Sequence, residues 1–146
     1  MTFDFSSPHL WYLDKDNDGL LEVCTIDLCQ GPFGVAGDRP IVGDWSGNGK
    51  SKIGVYRASA NRWIVDYNGD GKWNGVPTDK IWAFGLATDQ QIVGDWTGDG
   101  KTKLGLFRAS TGMWYLDANG DAIWNAGDLI RGPFGVATDK AVAGAW

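Results

Sequence analysis

Hydrophobic positions along the chain come in short runs, each closed off by glycine, asparagine or aspartate. Ile92-Val93, Leu104 to Phe107 and Met113 to Leu116 are such runs, and no longer window carries a clean helical apolar stripe. Short apolar segments between turn residues predict β-strands joined by tight hairpins.

The runs recur in phase. Ile92-Val93-Gly94-Asp95-Trp96-Thr97-Gly98-Asp99-Gly100-Lys101 repeats Ile41-Val42-Gly43-Asp44-Trp45-Ser46-Gly47-Asn48-Gly49-Lys50, and a third copy begins at Ala141 and reaches Trp146. Trp11, Trp63 and Trp114 form a second register, and Phe33-Gly34, Phe84-Gly85 and Phe134-Gly135 a third. The tryptophans Trp45, Trp96 and Trp146 lie 51 and 50 residues apart. A period near fifty residues indicates a repeat architecture. Each unit reads as four strands: A (Ile92 to Asp95), B (Lys103 to Arg108), C (Met113 to Asp117) and D (the segment leading into Phe134). Four strands per unit of this length predict the blades of a β-propeller.

Composition narrows the function. The 146 residues include 22 Gly and 9 Trp, which suits tight turns and large flat side chains. The net charge of −5 argues against nucleic acid as a partner. No apolar run reaches membrane-spanning length, so no membrane insertion is expected, and no signal peptide is visible. Cys24 and Cys29 read as a small local disulfide, which places the protein outside the cell or at its surface. His9 is the single histidine and no catalytic constellation accompanies it, so an enzyme is not expected.

The Gly-Asp-Trp-(Thr/Ser)-Gly-(Asp/Asn)-Gly-Lys hairpins, the Phe-Gly steps and the Asp-x-Asn-Gly-Asp-Gly loops resemble FG-GAP, or VCBS, repeats of the integrin-α-like propeller family. That resemblance implies an all-β propeller, calcium in some loops, and an extracellular setting. It covers nearly the whole chain as a single repeat domain.

Three loops between strands C and D carry alternating oxygen side chains. The first offers Asp14, Asp16, Asp18 and Glu22 with the Leu20 carbonyl; the second Asp66, Asn68, Asp70 and Asn74 with the Lys72 carbonyl. The third offers Asp117, Asn119, Asp121 and Asn125 with the Ile123 carbonyl. Oxygens at positions one, three, five, seven and nine of such a loop converge as Ca²⁺ ligands. The bland alternative is hairpins whose side chains satisfy backbone N–H groups without metal. In the A–B hairpins position nine is Lys52 or Lys103, and the ammonium is expected to sit where an ion would.

Most tryptophans are locked to the repeat and read as packing. Trp82 breaks the repeat pattern altogether, with Gly31 and Gly132 at the equivalent positions, and is the leading candidate for an exposed contact; Trp73 and Trp124 follow.

The first unit reads as strands B, C and D, with strand B at Phe3 to Ser6, and the last as strand A alone. Three blades are too few for a ring, since propellers have about four or more. Strand exchange between copies is the expected remedy, with six blades in a homodimer. The functional expectation is a calcium-stabilised lectin-like or adhesive module, binding a glycan or protein ligand. The alternatives are a self-assembling structural subunit or spacer, or a piece of a larger secreted protein.

Overall fold

The computed structural model describes residues 2–3, 10–22 and 24–144. The expectations resting on Ser6, His9 and Trp146 lie outside the described residues.

The chain is all-β. Its strands are β1 (Thr2–Phe3), β2 (Trp11–Leu13), β3 (Leu28–Gln30), β4 (Arg39–Gly43), β5 (Lys52–Arg57), β6 (Arg62–Val65), β7 (Lys80–Trp82), β8 (Gln90–Gly94), β9 (Lys103–Arg108), β10 (Met113–Leu116) and β11 (Leu129–Arg131). No α-helix occurs among the described residues, so none is long and apolar enough to cross a membrane. The strands form three antiparallel sheets in the orders β1-β2-β3, β4-β5-β6-β7 and β8-β9-β10-β11.

β5 and β9 are buried almost throughout, which explains why their sequences run nearly continuously apolar. Each has a glycine at its centre for a steric reason. A Cβ on Gly105 would lie 2.7 Å from the Trp96 ring and 2.9 Å from Ile92, so the ring lies against bare backbone.

The cores lie between sheets. Trp11 and Phe33 meet Ile53 and Val55 between the first and second sheets. Trp63 and Phe84 meet Leu104 and Leu106 between the second and third. Each burial removes a large apolar side chain from water, worth about 1.5–3 kcal/mol for one of ordinary size. Two indoles tie this packing to the backbone: Trp11 Nε1 donates to the Phe33 carbonyl at 3.1 Å and Trp63 Nε1 to that of Phe84 at 3.0 Å.

The third Phe-Gly step has no such cover. Phe33 and Phe84 are each 2% exposed, whereas Phe134 is 78% exposed. Trp114 still donates to the Phe134 carbonyl, at 2.8 Å.

Strand register corrects one sequence alignment. Trp82 pairs with Trp63 as Gln30 pairs with Trp11 and Arg131 with Trp114. Its equivalents are therefore Gln30 and Arg131, not Gly31 and Gly132. The first and third units carry Gly-Pro before the phenylalanine where the second has only Ala83, and that one-residue difference displaced the count.

Candidate functional site

The C–D loops share one backbone solution. The first aspartate of each takes N–H groups from residues three and five further on. Asp14 accepts from Asn17 and Gly19, Asp66 from Gly69 and Gly71, and Asp117 from Gly120 and Ala122. A second aspartate, which the sequence reading passed over, ties each loop shut. Asp27 accepts from Lys15 and Glu22, Asp79 from Tyr67 and Asn74, and Asp128 from Ala118 and Asn125.

The loops differ in what fills their centres. In the first, carboxylate oxygens of Asp14, Asp16 and Asp18 lie within 4.8 Å of one another and all three residues are exposed. Glu22 is not one of the three, but its carboxyl is raised by desolvation and then by Asp18, Asp16, Asp27 and Asp14. Like charges without a counter-charge raise a carboxyl in this way. The donor set is hard, anionic and oxygen-only, so it could hold Ca²⁺.

In the other two loops amides occupy the middle. Asn125 Nδ2 donates to Asp121 at 2.7 Å and to the Ile123 carbonyl at 2.9 Å. Asn68 Nδ2 donates to Asn74 at 3.3 Å, and the carboxyl of Asp70 is lowered chiefly by the Lys72 N–H. Asp66 and Asp117 are buried at 0% and 1% exposure. Burial raises both carboxyls, partly offset by the loop N–H groups. Ala122 takes the turn position at φ +59°, where the other two loops have glycine.

The A–B hairpins hold a cation of their own. Lys52 Nζ donates to Ser46 Oγ at 2.7 Å, Asn48 Oδ1 at 3.0 Å, and Asp44 Oδ1 and the Lys50 carbonyl at 3.2 Å. Lys103 Nζ reaches Asp99 at 2.6 Å, Thr97 at 2.7 Å, the Lys101 carbonyl at 3.3 Å and Asp95 at 3.4 Å. These are positions one, three, five and seven of the loop, the oxygens a calcium ion would take. The Gly100 N–H, with those of Thr97, Gly98 and Asp99, holds Asp95 far below the carboxylate range. Lys103 likewise lowers Asp99.

Between the sheets lie two clefts built from equivalent positions. The first, about 450 Å³, is lined by Phe33, Gly34, Val55, Arg57, Ile64 and Trp73 among others. The second, about 150 Å³, is lined by Phe84, Gly85, Leu106, Arg108, Tyr115 and Trp124. Trp73 and Trp124 are 42% and 46% exposed. Each packs by its edge or at a tilt on the phenylalanine of the preceding unit. Arg57 grips Asp38 through Nε and Nη2 at 2.9 and 2.8 Å, and Arg108 grips Asp89 likewise at 2.9 Å. These forked pairs fix the guanidinium planes. Arg108 also lies over the Tyr115 ring, 4.4 Å from its centroid.

Trp82 is placed differently from these two. It is half-buried, edge-on to Trp45 at 6.4 Å, and lines a small cavity with Ala122. Among the tryptophans singled out in the sequence, Trp73 and Trp124 are the exposed ones.

Cys24 and Cys29 form a disulfide, consistent with an oxidising compartment. It closes the segment around Asp27, in the unit whose loop lies most open. No family model, curated protein or solved structure matches the chain.

Proposed function

We propose that this protein is a non-enzymatic, calcium-stabilised extracellular binding module of the FG-GAP/VCBS propeller type, and that its ligand is a glycan. The observation that carries this is the pair of inter-sheet clefts, which repeat one chemistry at six matching positions. Each offers an exposed indole edge beside an apolar floor, and a guanidinium held in place by a buried aspartate. A pyranose has an apolar face to lay on the indole and hydroxyl oxygens to accept from the guanidinium. Two such clefts on one chain favour multivalent binding to repeated sugars. In this reading the three sheets are blades of a ring completed by further copies. Calcium at Asp14, Asp16, Asp18, Glu22 and the Leu20 carbonyl would neutralise the crowded carboxylates of the open loop.

A glycan array probed in calcium and in EDTA tests the reading. Binding to a defined sugar class is expected, with Trp73→Ala and Trp124→Ala each removing about half of the sites. Failure of every glycan to bind, with the fold intact by circular dichroism, would overturn it.

A further inference from the structure

The three Phe-Gly steps are equivalent in sequence and in hydrogen bonding, yet only two are covered. Phe33 is covered by the second sheet and Phe84 by the third. In those junctions the phenylalanine meets Trp73 or Trp124 of the following unit. The residue at that position in the first unit is Leu21, which is 65% exposed. Bare Phe134 and bare Leu21 are thus the two halves of a contact that the chain makes twice within itself.

Charge agrees with shape. In the first two units the side chain closing strand D lies against the next C–D loop. Gln30 covers Gly71, where a Cβ would lie 2.9 Å from its side chain, and Trp82 shares a cavity with Gly120 and Ala122. The third such residue is Arg131, exposed, and the loop left uncovered is the acidic one at Asp14 to Glu22. A cation therefore faces outward where four carboxylates would arrive.

The backbone agrees as well. Arg39 at the start of β4 donates to Gln91 of β8 at 2.7 Å. One unit later Gln90 of β8 donates to the Asp139 carbonyl at 2.7 Å and accepts from the Ala141 N–H at 2.9 Å. The segment 139–144 thus stands against β8 as β8 stands against β4. It corresponds to strand A, but it pairs with no strand among the described residues. In the first sheet, among the described residues, β1 pairs with β2 and no strand lies on its other side.

We infer that the outer side of the third sheet, with segment 139–144, docks the first sheet of a second copy of this chain. Phe134 meets the second copy's Leu21, Arg131 faces its acidic loop, and segment 139–144 supplies the first strand of its sheet beside β1. The contact is head-to-tail, so two copies carry two of them when the ring closes. The inference rests on the propeller reading above and not on the ligand.

Light scattering on the wild-type protein at tens of micromolar is expected to give twice the single-chain mass. Phe134→Glu and Leu21→Lys each alter a side chain exposed in the single chain, so both variants retain the fold. Each alone is expected to weaken association tenfold or more. Mixing them restores the dimer, because one junction is then wild-type and the other pairs Glu with Lys. A wild-type monomer overturns the inference, as does a mixture that stays monomeric. Glycan binding on the same samples separates the two readings. A dimer that binds no sugar removes only the proposed ligand, and a monomer that binds sugar removes only the docking face.

Discussion

The loop from Asp14 to Glu22 and the hairpin from Asp95 to Lys103 use the same spacing of oxygens for opposite purposes. In the hairpin the ninth residue is a lysine whose ammonium binds the oxygens at positions one, three, five and seven. In the loop the ninth residue is Glu22, a fourth carboxylate added to three others. One turn carries its cation covalently; in the proposed reading the other would take a calcium ion from solution. The comparison teaches that the residue at position nine sets whether the oxygens of such a turn meet a built-in ammonium or a further carboxylate.

Removing a built-in cation should have the largest effect. Lys52 and Asp44 are both nearly buried, so Lys52→Met is expected to destabilise the fold by about 3 kcal/mol. Urea denaturation measures this, and calcium should not restore it. A variant as stable as wild type would mean that the ammonium holds nothing together.

Supplying the recruited cation comes next. Calcium at a hundred times its dissociation constant should stabilise the wild type by about 2.7 kcal/mol. Differential scanning calorimetry with calcium and with EDTA reads the shift. Glu22→Gln should abolish most of it, since it removes one of the four carboxylates.

Exchanging the two designs sharpens the contrast. Lys103→Glu gives the hairpin an acid at position nine beside Asp95 and Asp99. It should be less stable than wild type in EDTA and should bind one additional calcium by isothermal titration calorimetry. An unchanged stoichiometry would show that position nine is not what selects the cation.

The smallest expected effect is on acid stability. Asp95 and Asp99 are lowered, so their contribution is fully present above the unfolded carboxylate value, about 3.9. It is lost as pH falls below that value and through the folded ones. Lys103→Met removes the largest cause of the shift at Asp99, so its acid midpoint should move to higher pH. Circular dichroism across a pH series checks this.

Much of the fold was legible because the repeat wrote it more than once. Strand B was read as Lys103 to Arg108, where β9 lies, and the ammonium seats followed from Lys52 and Lys103 standing at the ninth position. Strand B of the first unit is tested only at its start. It was read as Phe3 to Ser6; β1 covers Thr2–Phe3, and residues 4–6 lie outside the described ones. The aspartates that tie the loops shut were missed. Asp27, Asp79 and Asp128 also repeat in phase, but their partners are backbone N–H groups, which leave no mark in a sequence. Asp38 and Asp89 were missed for a different reason, since their arginine partners lie 19 residues away in sequence. Trp82 was misplaced because a motif count cannot show on which side of a strand end a residue has been gained or lost. Hydrogen-bond register can, and it aligns Trp82 with Gln30 and Arg131.

The bond from the Trp114 indole to the Phe134 carbonyl has a kinetic consequence. It fixes the main chain beneath the bare ring in the geometry that Trp11 and Trp63 impose on covered phenylalanines. That part of the ordering entropy is therefore lost during folding, before any encounter takes place. At the Phe134 step an approaching complementary surface would have one ring to desolvate and no turn to arrange, which leaves segment 139–144 as the part whose ordering can slow association.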